Sequence, residues 1–137
     1  MEDFVVWTEE QGRRLRARDG GIDWEAIAEE IEGMGRSETS AYKSALRLIC
    51  HHLLKWIHQP ERRSNSWRAT ITTARLRVQD IEDDSPSLRA RREEIFAQAY
   101  GKARRIAADE TGLPVGTFPE APPFTVAEAL DEDCWPS

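Results

Sequence analysis

Long apolar runs and a cysteine framework are both missing from this chain. It contains only two cysteines, Cys50 and Cys134, and neither has another metal-type ligand at the short spacing of a zinc motif. No run of about 18 apolar residues occurs, so no transmembrane helix and no membrane association are expected. The first ten residues, MEDFVVWTEE, are acidic and carry only a short apolar patch, unlike a secretory signal. These absences predict a cytoplasmic protein.

The motifs of common enzyme classes are also missing. No Walker loop, no G-x-G-x-x-G and no H-E-x-x-H occurs, and no serine has a recognisable His–Asp pairing. Strand signals are scarce, because β-branched runs are short and no Asn-Gly or Asp-Gly turn joins alternating segments. The sequence therefore predicts an all-α protein that is not an obvious enzyme, and no cofactor is expected.

Positive charge is absent from the last part of the chain. Residues 106–137 contain seven acidic side chains and no Lys or Arg, whereas residues 1–105 carry 19 basic and 18 acidic ones. Within the balanced part, residues 23–32 are charged only by carboxylates, and residues 43–77 hold eight basic side chains and one acidic. Because segments of opposite sign usually pair inside a fold, the asymmetry favours internal ion pairs.

Apolar residues at helical spacing predict a first helix from Asp3 to about Arg18, ended by the Asp-Gly-Gly stretch that follows. Asp23 is expected to cap the second helix, which should break at the glycines of GMG, residues 33–35. The inward face predicted for this helix consists of four apolar residues: Trp24, Ile27, Ile31 and Met34.

The same reasoning predicts three further helices. One runs from a Ser37 cap to about Gln59, where Pro60 ends it. The next begins at Ser64 or Asn65, and the last begins with a Ser85 cap. The apolar residues expected to face the core are Leu46, Ile49, Cys50, Leu53, Leu54 and Ile57 in the first of these, Trp67, Ile71, Ala74, Val78 and Ile81 in the second, and Leu88, Ile95, Ala99, Ala103 and Ile106 in the third.

Together these elements predict a single helical domain spanning residues 1–137. Residues 1–112 form a bundle of four main helices plus the N-terminal helix. Residues 113–137 form a Pro-rich, acidic arm that packs on the bundle and ends in a short helix, for which Thr125 and Glu128 provide a capping box.

Histidines concentrate in one stretch, HHLLKWIH, at residues 51–58. On a helical wheel His51, Lys55 and His58 point away from the core, and His52 lies at its edge. A metal-assisted hydrolase is one alternative here, with Glu29, Glu30, His51 and His52 as the weak candidate ligand set. Lys55 argues against it, because its charge would repel a cation.

Glu30 is the carboxylate predicted to face inward, on the flank of the apolar stripe of its helix. An unpaired buried carboxylate is costly, so Glu30 should meet cationic partners. His52, Arg68 and Arg75 occupy matching flanks of their helices, and we expect the four to converge in one groove. Such a cluster is either an ion-pair lock that fixes helix register or a pocket for an anion.

The tryptophans have two interpretations. Trp56 and Trp67 lie in or beside core stripes and are expected to pack. Alternatively, the basic segment from Arg62 to Arg77, with Trp67 inside it, tracks phosphates and stacks bases. The complete set of candidate binding residues is Glu30, His52, Lys55, Trp56, Trp67, Arg68 and Arg75.

Several stretches, in order, resemble the bacterial family known as domain of unknown function 29. The most specific are AEEIEGMGRSE and HLLKW-x-x-QPERRSNSW, supported by DFVVWTEEQGRRLRARD, DSPSLR and ETGLPVGTFPEAPPFT. The resemblance implies a small, all-helical bacterial protein in the cytoplasm, and it transfers no catalytic residue.

The pattern as a whole favours a non-enzymatic binding or regulatory module with a polar groove between helices. Its expected partner is a protein or a small anion. The metal-assisted hydrolase and the nucleic-acid binder remain alternatives, and the sequence leaves the oligomeric state open.

Overall fold

The computed structural model describes residues 3–17 and 23–137, and in this part of the chain it contains helices and no strand. The predicted all-α fold is confirmed. The expected end of the first helix at Arg18 and the Gly20–Gly21 stop lie outside the described residues. The helices are α1 (Phe4–Arg16), α2 (Trp24–His58), α3 (Asn65–Asp84), α4 (Pro86–Ala90), α5 (Arg92–Thr111) and α6 (Val126–Leu130), with single 3-10 turns at Pro60–Arg62 and Val115–Thr117.

Polar side chains begin the helices where the sequence predicts them. Asp3, Asp23 and Ser64 each accept a hydrogen bond from a backbone N–H three residues further on. Thr125 and Glu128 form the complete capping box of α6. These caps satisfy backbone donors that would otherwise have no partner at a helix start, so local sequence fixes where the elements begin.

The predicted break at GMG is wrong. α2 runs without interruption through Gly33 and Gly35 to His58, so the two helices expected on either side of Ser37 are one helix of 35 residues, about 52 Å long. Its N-terminal half packs against α1, and its C-terminal half packs against α3 and α5. Tertiary contacts therefore outweigh the cost of two glycines in a helix interior.

The glycines bring α1 and α2 close together. Gly35 is buried, and a methyl group on it would overlap the hydroxyl of Thr8, which donates to the carbonyl of Val5 at 2.7 Å. A methyl group on Gly12 would meet the side chain of Glu32 at about 2.5 Å. Because α1 packs on α2 at Gly35 and Ala28, the buried face of this half of α2 lies there and not along the predicted apolar residues. Trp24 and Ile31 are only half-buried, and Ile27 and Met34 are exposed.

The region after α3 differs from its prediction in two respects. Pro86 is the first helical residue, as expected, but the helix is interrupted at Arg91, which separates the short α4 from α5. Ser85 precedes the helix without making a side-chain cap, and its hydroxyl is buried.

The core lies between the C-terminal half of α2, α3, α5 and the C-terminal arm. Five of the six core residues predicted for this half of α2 are fully buried, and Ile57 is half-buried. Phe118 and Phe124 of the arm belong to the same apolar cluster. Arg104 fastens the arm by donating from Nε to the carbonyl of Phe118 at 2.8 Å.

Each helix in the described ranges is too short or too polar to cross a bilayer.

Candidate functional site

The predicted convergence of Glu30 with His52 and Arg68 is wrong. Glu30 is exposed and lines only a shallow surface hollow with its neighbours on α2. Because α2 is continuous, Glu30 and His52 are separated by about 33 Å along one helix axis. The expected break at GMG was the step that allowed the two side chains to meet, and the structure removes it.

The residues proposed as metal ligands are divided in the same way. Glu29 and Glu30 lie near the start of α2, and His51 and His52 lie near its end. In residues 3–17 and 23–137, no group of three or more His, Cys, Asp or Glu side chains is placed to hold a metal ion.

The helical wheel predicted that His51 projects into solvent, and this prediction is wrong. It is buried, and its Nε2 is hydrogen-bonded to the carboxylate of Glu110 on α5. Lys55 lies 3.4 Å from the same carboxylate and 4.7 Å from the centre of the Trp67 ring. Burial lowers the pKa of His51 despite the nearby carboxylate, so a neutral ring that donates its Nε2 proton to Glu110 fits the geometry.

His52 is half-buried beside His51, with the two ring centres 4.4 Å apart. Its Nδ1 donates to the carbonyl of Leu48 at 3.0 Å, an arrangement in which Nε2 carries the lone pair. Burial is the main cause that lowers the pKa of His52 to about 4, and the neighbouring His51 lowers it further. The ring is therefore neutral around pH 7.

The other predicted binding residues cluster where α2 ends and α3 begins. Trp56 is buried against Trp135 of the arm, with ring centres 5.0 Å apart. The guanidinium of Arg68 stacks 4.2 Å from the centre of Trp135, and that of Arg63 stacks 4.9 Å from Trp56. Such cation–π contacts are worth about 0.5–1 kcal/mol each at exposed positions, so this cluster mainly holds the arm in place.

Arg75 is the most deeply buried charged residue in the described part of the chain. It is only 1 % exposed, and it fixes the arm by donating from Nε to the carbonyl of Ala129 at 2.8 Å and from Nη2 to that of Cys134 at 2.9 Å. Its Nη1 is buried without an acceptor in the described ranges, where the side chain also has no carboxylate within ion-pair distance. Burial lowers the pKa of this guanidinium, and the acidic residues Asp131 and Glu132 oppose the shift from a distance.

Arg75 also lines a hollow of about 310 Å³ between α3, the start of α5 and α6. Two more arginines line it, together with two carboxylates and apolar side chains. Arg89 is exposed and makes no ion pair in the part of the chain that the structure describes. The remaining lining residues are Val78, Gln79, Glu82, Asp83, Arg92 and Leu130.

One of the two carboxylates is already neutralised. Glu82 accepts from the hydroxyl of Tyr42 at 2.6 Å and from Nε of Arg92 at 2.9 Å. Burial alone would raise the pKa of Glu82, but the hydrogen bonds from Arg92 and Tyr42 outweigh it and hold that pKa below its ordinary value. Glu82 and Arg92 therefore cancel. Asp83 is the other carboxylate that lines the hollow, and Asp131 and Glu132 act on Arg75 from outside its lining.

Sequence reasoning missed two carboxylates that decide this geometry, Glu82 and Glu110. Glu82 precedes a predicted boundary and Glu110 stands near a helix end, and neither carries a local pattern that distinguishes it from a solvated residue. The sequence predicts that the arm packs on the bundle, but it does not indicate that Trp135 meets Trp56 and Arg68.

The charge asymmetry favoured ion pairs inside the fold without naming the partners. In the described residues Lys55 of the basic segment pairs with Glu110, and the acidic residues Glu25 and Glu32 pair with Arg16.

Comparison with known proteins agrees with the fold. A crystal structure of an alpha-helical protein of unknown function from Rhodospirillum rubrum matches with a TM-score of 0.70 and 28% sequence identity, covering 96% of this chain and 88% of that one. No curated protein matches the chain. The family model of Domain of unknown function DUF29 matches residues 1–135. The chain therefore belongs to the DUF29 family.

Proposed function

We propose that the protein is a binding module for a small molecule carrying a carboxylate or phosphate group, which docks in the hollow lined by Arg75 and Arg89. We call this hollow the arginine hollow. The observation that carries the proposal is the guanidinium of Arg75, a buried cation with one nitrogen lacking an acceptor in the described residues.

The energetics of burial support this assignment. An ion removed from water loses several kcal/mol of solvation unless a counter-charge or hydrogen bonds replace it. The carbonyls of Ala129 and Cys134, with that of Glu128 at 3.5 Å from Nη2, supply part of this replacement. An oxyanion in the hollow would supply the counter-charge, and it would supply the missing acceptor once the side chain turns the buried Nη1 toward it.

The lining sets the kind of ligand. Arg89 is exposed, so its guanidinium can turn onto an anion without losing another ion pair in the described part of the chain. Val78 and Leu130 provide apolar contact for a short carbon skeleton. At about 310 Å³ the hollow is at the lower end of the size range of small-molecule pockets. The arrangement thus suits a small organic acid or a phosphate monoester.

Arg68, Trp56 and Trp67, which the sequence singles out, take a supporting role in this proposal. Arg68 stacks on Trp135, and the guanidinium of Arg75 lies 4.9 Å from the centre of the same ring. Trp56 and Arg68 both pack on Trp135 and keep the arm in position, and the arm in turn holds Arg75, whereas Trp67 contacts Lys55.

The test measures the melting temperature and calorimetric binding of the purified protein with inorganic phosphate, acetate and citrate. Sodium chloride at matched ionic strength controls for screening. We expect a rise in melting temperature with at least one of these anions beyond that in chloride. The variant Arg89→Gln should weaken binding by about tenfold or more, because it removes one charge-assisted hydrogen bond.

Arg105→Gln is the matched control, since Arg105 is exposed on α5 and does not line the hollow. It should leave binding unchanged. Equal melting temperatures in all salts, or equal weakening by Arg89→Gln and Arg105→Gln, would contradict the proposal and leave the hollow to water.

A further inference from the structure

The outward face of α2 carries three large apolar residues that stay exposed in the described chain, with the half-buried Ala41 between them. Ile27, Met34, Ala41 and Leu48 follow one another at intervals of seven residues. Ile27 is 39 % exposed, Met34 51 % and Leu48 38 %, although large apolar side chains are usually buried. A seven-residue apolar repeat is the pattern of a helix that packs along another helix, and here it extends for about 31 Å.

At its C-terminal end this stripe runs into a groove of about 500 Å³ between α2 and α3. Small side chains form most of its lining, and Leu48 and Arg77 also border it. A groove with such a lining lets a second helix approach closely, as in helix-in-groove recognition. The lining residues are Ala41, Ser44, Ala45, Leu48, Ala69, Thr70, Thr73, Ala74 and Arg77.

We infer that a second copy of this chain covers the stripe, through antiparallel pairing of the two α2 helices about a two-fold axis. In this arrangement Ile27 of each copy lies opposite Leu48 of the other, and Met34 lies opposite Ala41. Both grooves are then occupied by the N-terminal half of the other α2, as a closed two-fold interface requires.

Charge complementarity selects this occupant. Near Ile27 and Met34, α2 carries the exposed carboxylate of Glu30, which makes no ion pair in the described residues. The groove carries the guanidinium of Arg77, which also lacks an ion pair there. In the two-fold arrangement Glu30 of one copy comes opposite Ala45 of the other.

Ala45 and Arg77 line the same groove, so Glu30 of one copy reaches Arg77 of the other twice in each dimer. A parallel pair would instead place Glu30 beside Glu30 and bring no carboxylate from the other copy to Arg77, whose charge otherwise acts on Glu38 of its own chain. Like charges at one helix contact oppose pairing, so the antiparallel arrangement follows from the charges as well as from the apolar spacing.

The test is the molar mass of the full chain in solution, measured over a range of concentrations by sedimentation equilibrium. We expect twice the mass of one chain at the upper end, and dissociation on dilution. Leu48→Glu should give one-chain mass throughout, while Val115→Glu, which changes an apolar residue 45 % exposed outside α2, should leave the dimer intact.

A charge exchange then tests the arrangement itself. Glu30→Arg and Arg77→Glu should each weaken the dimer, and the double variant should restore it, because the pair is re-formed with reversed signs. Circular dichroism confirms that every variant folds. The inference would be overturned if the unaltered protein had the mass of one chain at all concentrations. It would also be overturned if Leu48→Glu left the dimer intact, or if the double variant failed to restore the dimer.

Discussion

The two halves of α2 show how one helix can serve two different environments. From Tyr42 to Trp56 the helix is enclosed by α3, α5 and the arm, and it buries residues around most of its circumference. From Trp24 to Ser40 it contacts mainly α1, and the residues it buries there are small. The C-terminal half gains its stability from apolar burial, and the N-terminal half gains it from the close approach of the α1 and α2 backbones.

The difference teaches that an apolar stripe marks a contact without saying which surface provides it. Leu46 and Leu53 pack inside the chain, whereas Ile27 and Met34 have an equally regular spacing and remain exposed. The close approach of α1 is possible only where α2 presents a glycine or alanine, so α1 lies on Gly35 rather than on the larger apolar residues.

The largest expected contrast comes from truncating one apolar residue in each half. Leu53→Ala removes a fully buried side chain and should lower the free energy of unfolding by about 2–5 kcal/mol. Ile27→Ala removes a side chain that is 39 % exposed and should cost less than about 1 kcal/mol. Urea unfolding at low protein concentration, which keeps any association of copies out of the measurement, gives both values. Equal losses would break the distinction between the halves.

The junction of the halves provides a prediction of pH dependence. Tyr42, at the start of the enclosed half, is tied to α3 and α5 through Glu82 and Arg92. Because the folded-state pKa of Glu82 is depressed, its contribution to stability is complete above the ordinary pKa of a glutamate. It is lost as the pH falls through the lower, folded-state pKa.

Glu82→Gln should therefore destabilise the protein at pH 7, by about 3 kcal/mol as for a broken buried pair, and should reduce the loss of stability between pH 5 and pH 3. Denaturant unfolding at several pH values checks this. Glu93→Gln, an exposed substitution on α5, is the control. A Glu82→Gln variant that parallels the unaltered protein at every pH would show that the carboxylate is not held in this way.

The smallest expected effects compare two glycines of the loosely covered half. Gly35→Ala should destabilise the protein by about 1–3 kcal/mol, because its methyl group overlaps the buried Thr8 side chain. In Gly33→Ala the added methyl group would contact only Nη2 of Arg36, at 3.5 Å, so this substitution should stabilise the helix by about 0.5–1 kcal/mol. Thermal unfolding distinguishes the two signs. A stabilising Gly35→Ala would mean that α1 does not approach α2 closely.

The predictions that held rest on local chemistry. Asp23, Ser64 and Thr125 cap helices because their side chains reach a backbone N–H only a few residues away. The buried residues of α3 at Ile71, Ala74, Val78 and Ile81 follow from the period of the helix alone. A residue's neighbours along the chain contain all the information that these predictions need.

The predictions that failed each depend on a distant surface. Glycine weakens an isolated helix, so GMG predicts a break, but packing of α1 on Gly35 keeps α2 continuous. That single difference moves Glu30 about 33 Å from His52 and dissolves the predicted cluster. His51 is buried rather than exposed because Glu110, 59 residues later, covers it.

By itself, the sequence determined the helical class, the starts of α1 to α4 and of α6, and the apolar period of the helices, because these depend on interactions within one or two turns. Tertiary structure alone decided which stripe is covered, which glycine of α2 contacts α1, and that Arg75 is enclosed without a carboxylate partner among the described residues. These outcomes arise from the meeting of segments far apart in the chain, and no local pattern encodes which surfaces meet.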